Sequence, residues 1–340
     1  MAQIEVSTSC NASCIYCPRT VLRSDWISKF MNLRLYRKVI GELLSMGSIN
    51  YVHLQGWGEP LLHPNFMDMI GEIRGKVDFG LTTNGLLLNE HYASKLVSLG
   101  INVIAVTFAG ANALTHNVIR VGCDFNVVVN NVKRLIETRN KLRSGVRVVA
   151  SFIALSMNIH ELPDFVYLCH KLGIDEIVID NLSYILNKYM LRWRAFTDPM
   201  EQELRVFKRV IDITLRRAKE LGIKVFPYSL SCWELIECPE RPTETIFIGV
   251  NGDVSPCVFL NLPTRGDSIP RCFMGKCFRV EKTIFGNADK DNIINIWNDE
   301  DYKEFRYRFI RRRSQGPNWE YGIDLMPPSQ CITCYRLYGV

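Results

Sequence analysis

The segment CNASCIYC sets Cys10, Cys14 and Cys17 on one short stretch, with three and then two residues between successive thiols. Thiolates so close on one loop can wrap one corner of a cubane iron–sulfur cluster. Three ligands for four irons leave one iron open to bind a further group. The competing reading is a structural zinc site, but zinc closes its shell with four ligands. No fourth Cys or His stands nearby, the nearest His being His53.

Such a loop needs a frame. Runs rich in β-forming residues at 2–7, 51–54, 77–82, 102–108, 146–154 and 176–179 alternate with stretches of helical periodicity at 33–46, 66–74, 90–99, 125–142 and 162–172. That order predicts an α/β fold whose parallel strands are joined by right-handed crossovers, in an open sheet or a partial barrel. Either form gathers the working residues at the carboxyl ends of the strands, and the three thiols directly follow the first strand. The texture changes later in the chain. A charged amphipathic pattern covers 199–222, and Cys-, Gly- and Pro-rich segments follow it. The expected division is a barrel over 1–190, a linker helix and strand over 191–229, and a smaller Cys-rich α+β domain over 230–340.

The chain has 340 residues, 47% hydrophobic and 22% charged, enough for one large core and a smaller unit and too apolar for a disordered tail. No apolar run approaches the roughly 20 residues that span a bilayer. The opening MAQIEVSTSC lacks a basic flank and an apolar core, so the expectation is a cytoplasmic protein without a membrane partner. In that compartment the 12 Cys are expected as thiols, and clusters of them favour metal over disulfide. The net charge of +6 is too small to predict a nucleic-acid partner.

CxxxCxxC with Tyr16 before its last Cys, on the loop after the first strand of a βα series, resembles the radical S-adenosylmethionine (SAM) superfamily. That resemblance implies a partial (β/α)6 TIM-type barrel and a 4Fe–4S cluster held by Cys10, Cys14 and Cys17. It also implies that the open iron chelates the amino and carboxylate groups of SAM. An electron from a partner such as ferredoxin or flavodoxin would then cleave SAM to a 5′-deoxyadenosyl radical that abstracts hydrogen. QGWGEPLLHP, after the second strand, resembles the family's GGEP segment. It makes Gly56, Trp57, Gly58, Glu59 and Pro60 candidates for SAM binding, with Trp57 where the family has Gly. A glycine there lets a backbone edge approach the ligand, and the carboxylate would accept from the methionine ammonium. LTTNG and VTF put Asn84 and Thr107 at the ends of the third and fourth strands, also as SAM contacts. Their plainer reading is as strand-end turn residues.

The later order CPERPTETIFIGVNGDVSPC, FGNADKDNIINIWNDEDYKEFR and CITC resembles the SPASM and twitch domains of radical SAM enzymes. This implies a second, auxiliary 4Fe–4S cluster with Cys238, Cys257, Cys331 and Cys334 as ligands. Cys232, Cys272 and Cys277 compete for those roles, and the spacing also suits a zinc ribbon. Cys123 and Cys169 have no metal spacing. No His has a catalytic context, so no catalytic side chain is named. Arg306, Arg308, Arg311, Arg312 and Arg313 read as a solvated helix end, and Trp193, Trp233, Trp297 and Trp319 as core.

VHLQGWGEPLLHP with a one-cluster tail most resembles the maturases of tungsten-containing aldehyde oxidoreductases. The implied substrate is a tungstopterin cofactor or its host enzyme. The alternatives are modification of a ribosomal peptide or protein side chain, and a non-catalytic iron–sulfur electron carrier. A carrier needs every iron closed by a ligand, which CNASCIYC does not provide.

Overall fold

The computed structural model of the chain describes residues 1–198, 204–315 and 325–340. Six strands fall where the periodicity places them: β1 (Ala2–Ile4), β2 (Tyr51–Leu54), β3 (Asp78–Thr83), β4 (Val103–Phe108), β5 (Arg147–Ala154) and β6 (Glu176–Asn181). The helices between them are α1 (Leu33–Ser45), α2 (Phe66–Ile73), α3 (Glu90–Ser98), α4 (Phe125–Lys141) and α5 (Leu162–Leu172). Each strand pairs in parallel with the next.

The alternation within strands explains the layering. In β4, Ile104, Val106 and Phe108 are buried, and they share one apolar core with Val39, Ile40 and Leu43 of α1. Burying each such side chain contributes about 2 kcal/mol. Local chemistry sets the helix ends. Asn32, Asn89 and Asp124 cap α1, α3 and α4 by accepting from backbone N–H groups of the first turn. Gly173 stops α5 in the left-handed region at φ 81°.

The other strand face carries polar side chains. His53 Nε2 and Thr82 Oγ1 are 2.9 Å apart across β2 and β3, and Ser151 Oγ donates to Asp180 Oδ2 at 2.7 Å across β5 and β6.

The sheet extends past these six strands at both edges. The segment expected as a linker supplies α6 (Leu204–Leu221) and β7 (Lys224–Phe226), and β7 pairs in parallel with β6. At the other edge, β8 (Ile246–Ile248) pairs in parallel with β1, and β9 (Asp253–Ser255) continues antiparallel. A hairpin of β10 (Ser268–Phe273) and β11 (Lys276–Glu281) stands apart, while β12 (Gly286–Asn287) closes the main sheet on β9. Two helices follow, α7 (Ile293–Trp297) and α8 (Glu300–Gln315). The carboxyl-terminal segment is thus grafted onto the barrel through β1, the strand that feeds the first thiol loop. Among the described residues no helix is long and apolar enough to cross a membrane.

Two side-chain expectations are corrected here. Arg306 and Arg312 are buried, because α8 turns Tyr302, Phe305, Arg306, Phe309 and Arg312 inward at helical spacing. Arg308, Arg311 and Arg313 remain exposed. Trp233 is 62% exposed and so not core. Trp193 and Trp297 are partly buried against apolar clusters, and Trp319 lies outside the described residues.

Candidate functional site

The first thiol loop leaves β1 and is pinned by a two-residue ladder in which Ser13 and Cys14 pair with Val121 and Arg120. Cys17 N–H donates to the Cys14 carbonyl at 3.1 Å, which folds the loop back on itself. Ala12 N–H donates to Cys10 Sγ at 3.5 Å, and the Asn84 amide reaches the same sulfur at 3.7 Å. Burial pushes the Cys10 thiol up, and burial together with the charge of Cys14 pushes Cys17 up to about 12. Burial thus opposes ionisation of Cys10 and Cys17. A cationic iron–sulfur core is the group that would let them ionise, so the donor set fits one. The buried Arg120 guanidinium adds one positive charge beside them and donates to the Tyr16 hydroxyl at 3.3 Å.

The GWGEP loop presses against this one. A Cβ at Gly58 would stand 2.3 Å from the Ser7 carbonyl oxygen, and one at Gly56 would stand 2.2 Å from Glu5 Cγ. Both positions therefore require glycine. Trp57 N–H donates to Glu5 Oε1 at 2.7 Å, and Pro60 opens a single 3-10 turn.

Glu59, read as a SAM contact, has partners within the protein. Its carboxylate accepts from Leu61 N–H at 3.1 Å, Thr83 Oγ1 at 2.7 Å and Asn84 N–H at 2.7 Å, and it is 2% exposed. Glu59 therefore fastens the loop after β2 to the end of β3. Its own N–H donates to the Ser9 carbonyl at 2.8 Å, which carries the tie on to the thiol loop. Asn84 bonds Asn11 Oδ1 at 2.7 Å, and Thr107 Oγ1 donates to the Thr83 carbonyl at 3.3 Å. The structure thus links Cys10, Glu59, Asn84 and Thr107 in one hydrogen-bonded set at the carboxyl ends of β1 to β4.

Sequence reasoning missed Glu5, which burial raises to about 7 and which the N–H groups of Trp57 and Val250 hold. It also missed Arg120. An inward-alternating acid in the first strand and a lone Arg after a two-turn helix were the available signals, and neither carries a motif.

At the second thiol set, Cys238, Cys257, Cys331 and Cys334 line one pocket, walled by Leu260, Phe305, Phe309 and other residues. Burial pushes the Cys238, Cys257 and Cys331 thiols upward, and the neighbouring thiols add to each shift. Three separate segments of the chain bring four thiols to one apolar pocket, which fits a closed four-thiolate cluster. Gly252, at φ 90°, forms the turn that returns the chain to Cys257, and Asn287 of β12 braces it by donating to the Asn251 carbonyl at 3.0 Å.

The competing cysteines have other surroundings. Cys272 and Cys277 stand directly opposite in the β10–β11 hairpin and form a disulfide, contrary to the expectation that every Cys is a thiol. Antiparallel register alone brings them together. Cys232 is buried in a separate apolar cluster with Cys272.

Residues 4–181 match the Radical SAM superfamily, and residues 238–335 match SPASM, an iron–sulfur cluster-binding domain. The tungsten-containing aldehyde ferredoxin oxidoreductase cofactor-modifying protein of Pyrococcus furiosus is 24% identical over 322 residues, 89% of this chain and 82% of that protein. A probable GTP 3′,8-cyclase of Methanocaldococcus jannaschii is 28% identical over 206 residues, 60% of this chain and 65% of that protein. In fold, the chain is similar to Streptococcus suis SuiB bound to S-adenosylmethionine, with TM-score 0.65 and 14% identity, covering 99% of this chain and 71% of that one. It is also similar to anSMEcpe with bound AdoMet and a peptide, with TM-score 0.64 and 16% identity, covering 99% and 87%. With more than half its length matched, the chain belongs to the Radical SAM superfamily and carries a SPASM iron–sulfur cluster-binding domain after its barrel.

Proposed function

We propose that this radical SAM enzyme matures a tungsten-dependent oxidoreductase, acting on its tungstopterin cofactor or on the host protein. Cys10, Cys14 and Cys17 hold the 4Fe–4S cluster that binds SAM, and Cys238, Cys257, Cys331 and Cys334 hold a closed auxiliary 4Fe–4S cluster. The observation that carries this reading is the difference between the two sets: three thiols at the strand ends, four around one apolar pocket. When bound and reduced, the first cluster supplies one-electron cleavage of SAM and with it a 5′-deoxyadenosyl radical for hydrogen abstraction.

The chain's own residues position and enclose. Gly56 and Gly58 let the loop after β2 lie against the thiol loop, and Glu59 holds that loop to Asn84. Trp57, Tyr184 and Phe259 form an aromatic wall, with Trp57 5.5 Å from Tyr184 and 5.9 Å from Phe259 between ring centroids. On the polar strand face, Ser151 and Asp180 offer hydrogen-bonding groups. The tungsten assignment is supported by the alignment with the Pyrococcus protein along nearly the whole of both chains. A small one-electron donor such as ferredoxin or flavodoxin is the partner this chemistry needs.

The test is anaerobic. With dithionite and SAM, the reconstituted protein should release 5′-deoxyadenosine, and replacing Cys10, Cys14 and Cys17 together by Ala should abolish release. Supplying immature tungsten oxidoreductase should raise 5′-deoxyadenosine release above the uncoupled rate and change the mass of its cofactor or chain. Stimulation by a peptide and not by that enzyme would transfer the assignment to peptide modification. SAM cleavage by the triple variant would overturn the ligand assignment.

A further inference from the structure

Three buried or nearly buried arginines stand around the second thiol chamber, and their partners differ. Arg336 Nε donates to Glu240 Oε1 at 2.8 Å, and Arg312 pairs with Glu234 at 2.8 Å. Arg271, on β10, is 2% exposed; it donates to two backbone carbonyls and meets the Tyr184 hydroxyl, with no carboxylate among these partners. Its Nη1 donates to the Gln330 carbonyl at 2.8 Å, and its Nη2 donates to the Phe259 carbonyl at 3.2 Å. Gln330 immediately precedes Cys331, and Phe259 is the second residue after Cys257, so one guanidinium clamps two ligand loops. Its Nε is buried with no hydrogen-bond partner.

A buried cation without a counter-charge is costly. The acidic groups that face Arg271 are the thiols of Cys334, Cys331 and Cys257 and the Tyr184 hydroxyl, whose ring lies 5.6 Å from the guanidinium carbon. Of the other two arginines, Arg336 has Glu240 alongside and also faces Asp180, and Arg312 pairs with Glu234.

We propose that Arg271 is the counter-charge of the auxiliary cluster, a fixed cation that biases the cluster toward its reduced, more negative state. The proposal rests on the reading of Cys238, Cys257, Cys331 and Cys334 as ligands of one 4Fe–4S cluster. A cluster held by four thiolates is anionic and gains one more negative charge on reduction. A fixed cation in a low-dielectric wall therefore favours the reduced form. The two other arginines exert less of this effect because each has a carboxylate alongside.

The test is an anaerobic redox titration followed by electron paramagnetic resonance, in the Cys10/Cys14/Cys17→Ala background that retains only the second cluster. Arg271→Met should lower the reduced-to-oxidised ratio at a fixed potential about tenfold, equivalent to about 59 mV for one electron. Arg271→Lys, which keeps the charge, should stay within about twofold of the parent. Glu240→Gln unmasks the charge of Arg336 in the same chamber and should shift the ratio the opposite way. An unchanged ratio in Arg271→Met, or a fall in Arg271→Lys as large as in Arg271→Met, would overturn the proposal. If Arg271→Met fails to take up iron, the Lys and Gln variants decide by the same signs. A parent background without about four irons per chain would instead refute the ligand reading beneath it.

Discussion

The indole of Trp57 donates from Nε1 to the Val258 carbonyl at 3.2 Å, joining the loop after β2 to the residue that follows Cys257. One side chain thus connects the surroundings of both thiol sets, and it stands where the superfamily's GGEP segment has Gly. Its ring packs against Tyr184 and, edge-on, against Phe259. Trp57→Phe would retain ring contacts and lose the hydrogen bond, at a cost of about 1 kcal/mol. Trp57→Gly would also leave a void, at about 3 kcal/mol. Anaerobic urea unfolding of the reconstituted protein checks both. Equal, negligible costs would mean that the indole carries no load between the two halves.

Glu59 gives a second expectation, because its carboxylate receives three donors from the protein itself. Glu59→Gln turns an NH2 group toward at least one N–H donor, leaving buried groups unpaired at a cost of about 2 to 3 kcal/mol. The unfolding midpoint of the SAM-free protein should therefore fall, and SAM affinity should weaken as a consequence of the displaced Asn84 and Ser9. Weaker SAM binding with an unchanged midpoint would instead return Glu59 to direct contact with the ligand.

Glu5 makes stability depend on pH. Burial raises it from the ordinary 4.5 to about 7, against the lowering effect of the Trp57 and Val250 N–H groups. Between those two values the native state holds a proton that the unfolded chain has released, so this group's contribution falls as pH rises through the window and is flat above it. The full effect is on the order of 3 kcal/mol. Glu5→Gln should remove that slope. Comparing unfolding midpoints of the two proteins at pH 5 and pH 7.5 isolates it, and parallel curves would show that Glu5 does not titrate there.

The six barrel strands and five helices were legible because their signals are local: alternation in the strands, 3.6-residue periodicity and Gly stops in the helices. The thiol spacings were legible for the same reason. Pairing of β8 with β1 was not, since a three-residue apolar strand carries no information about which edge it joins. The inward turn of Arg306 was also hidden. It depends on Trp297 and Tyr302, whose rings lie 3.9 and 4.5 Å from the guanidinium, and on the Trp297 carbonyl, to which Arg306 donates at 2.6 Å. Composition marks an arginine-rich helix end as solvated, and only tertiary packing reverses that for single residues. Glu59 was found for its motif, but its partners Thr83 and Asn84 come from another strand, so its three hydrogen bonds could not be read from the motif.

The disulfide of the β10–β11 hairpin yields the last expectation. Cys272 and Cys277 are separated by five positions, and the ladder around them runs from Ser268–Glu281 to Phe273–Lys276. A bridge across so short a loop restricts the unfolded chain little, about 2 kcal/mol at most by loop-closure entropy. The ladder should therefore survive its loss. Replacing both residues by Ser should leave the iron content of the reconstituted protein unchanged, because both sulfurs bond each other and neither lines the chamber of Cys238, Cys257, Cys331 and Cys334. Arg271 precedes Cys272 in β10 and donates to the Gln330 carbonyl beside Cys331, so a displaced hairpin would register in the cluster's potential before it registered in iron. Loss of about four irons in the double Ser variant would make one of the pair a ligand and dissolve the assignment of the second thiol set.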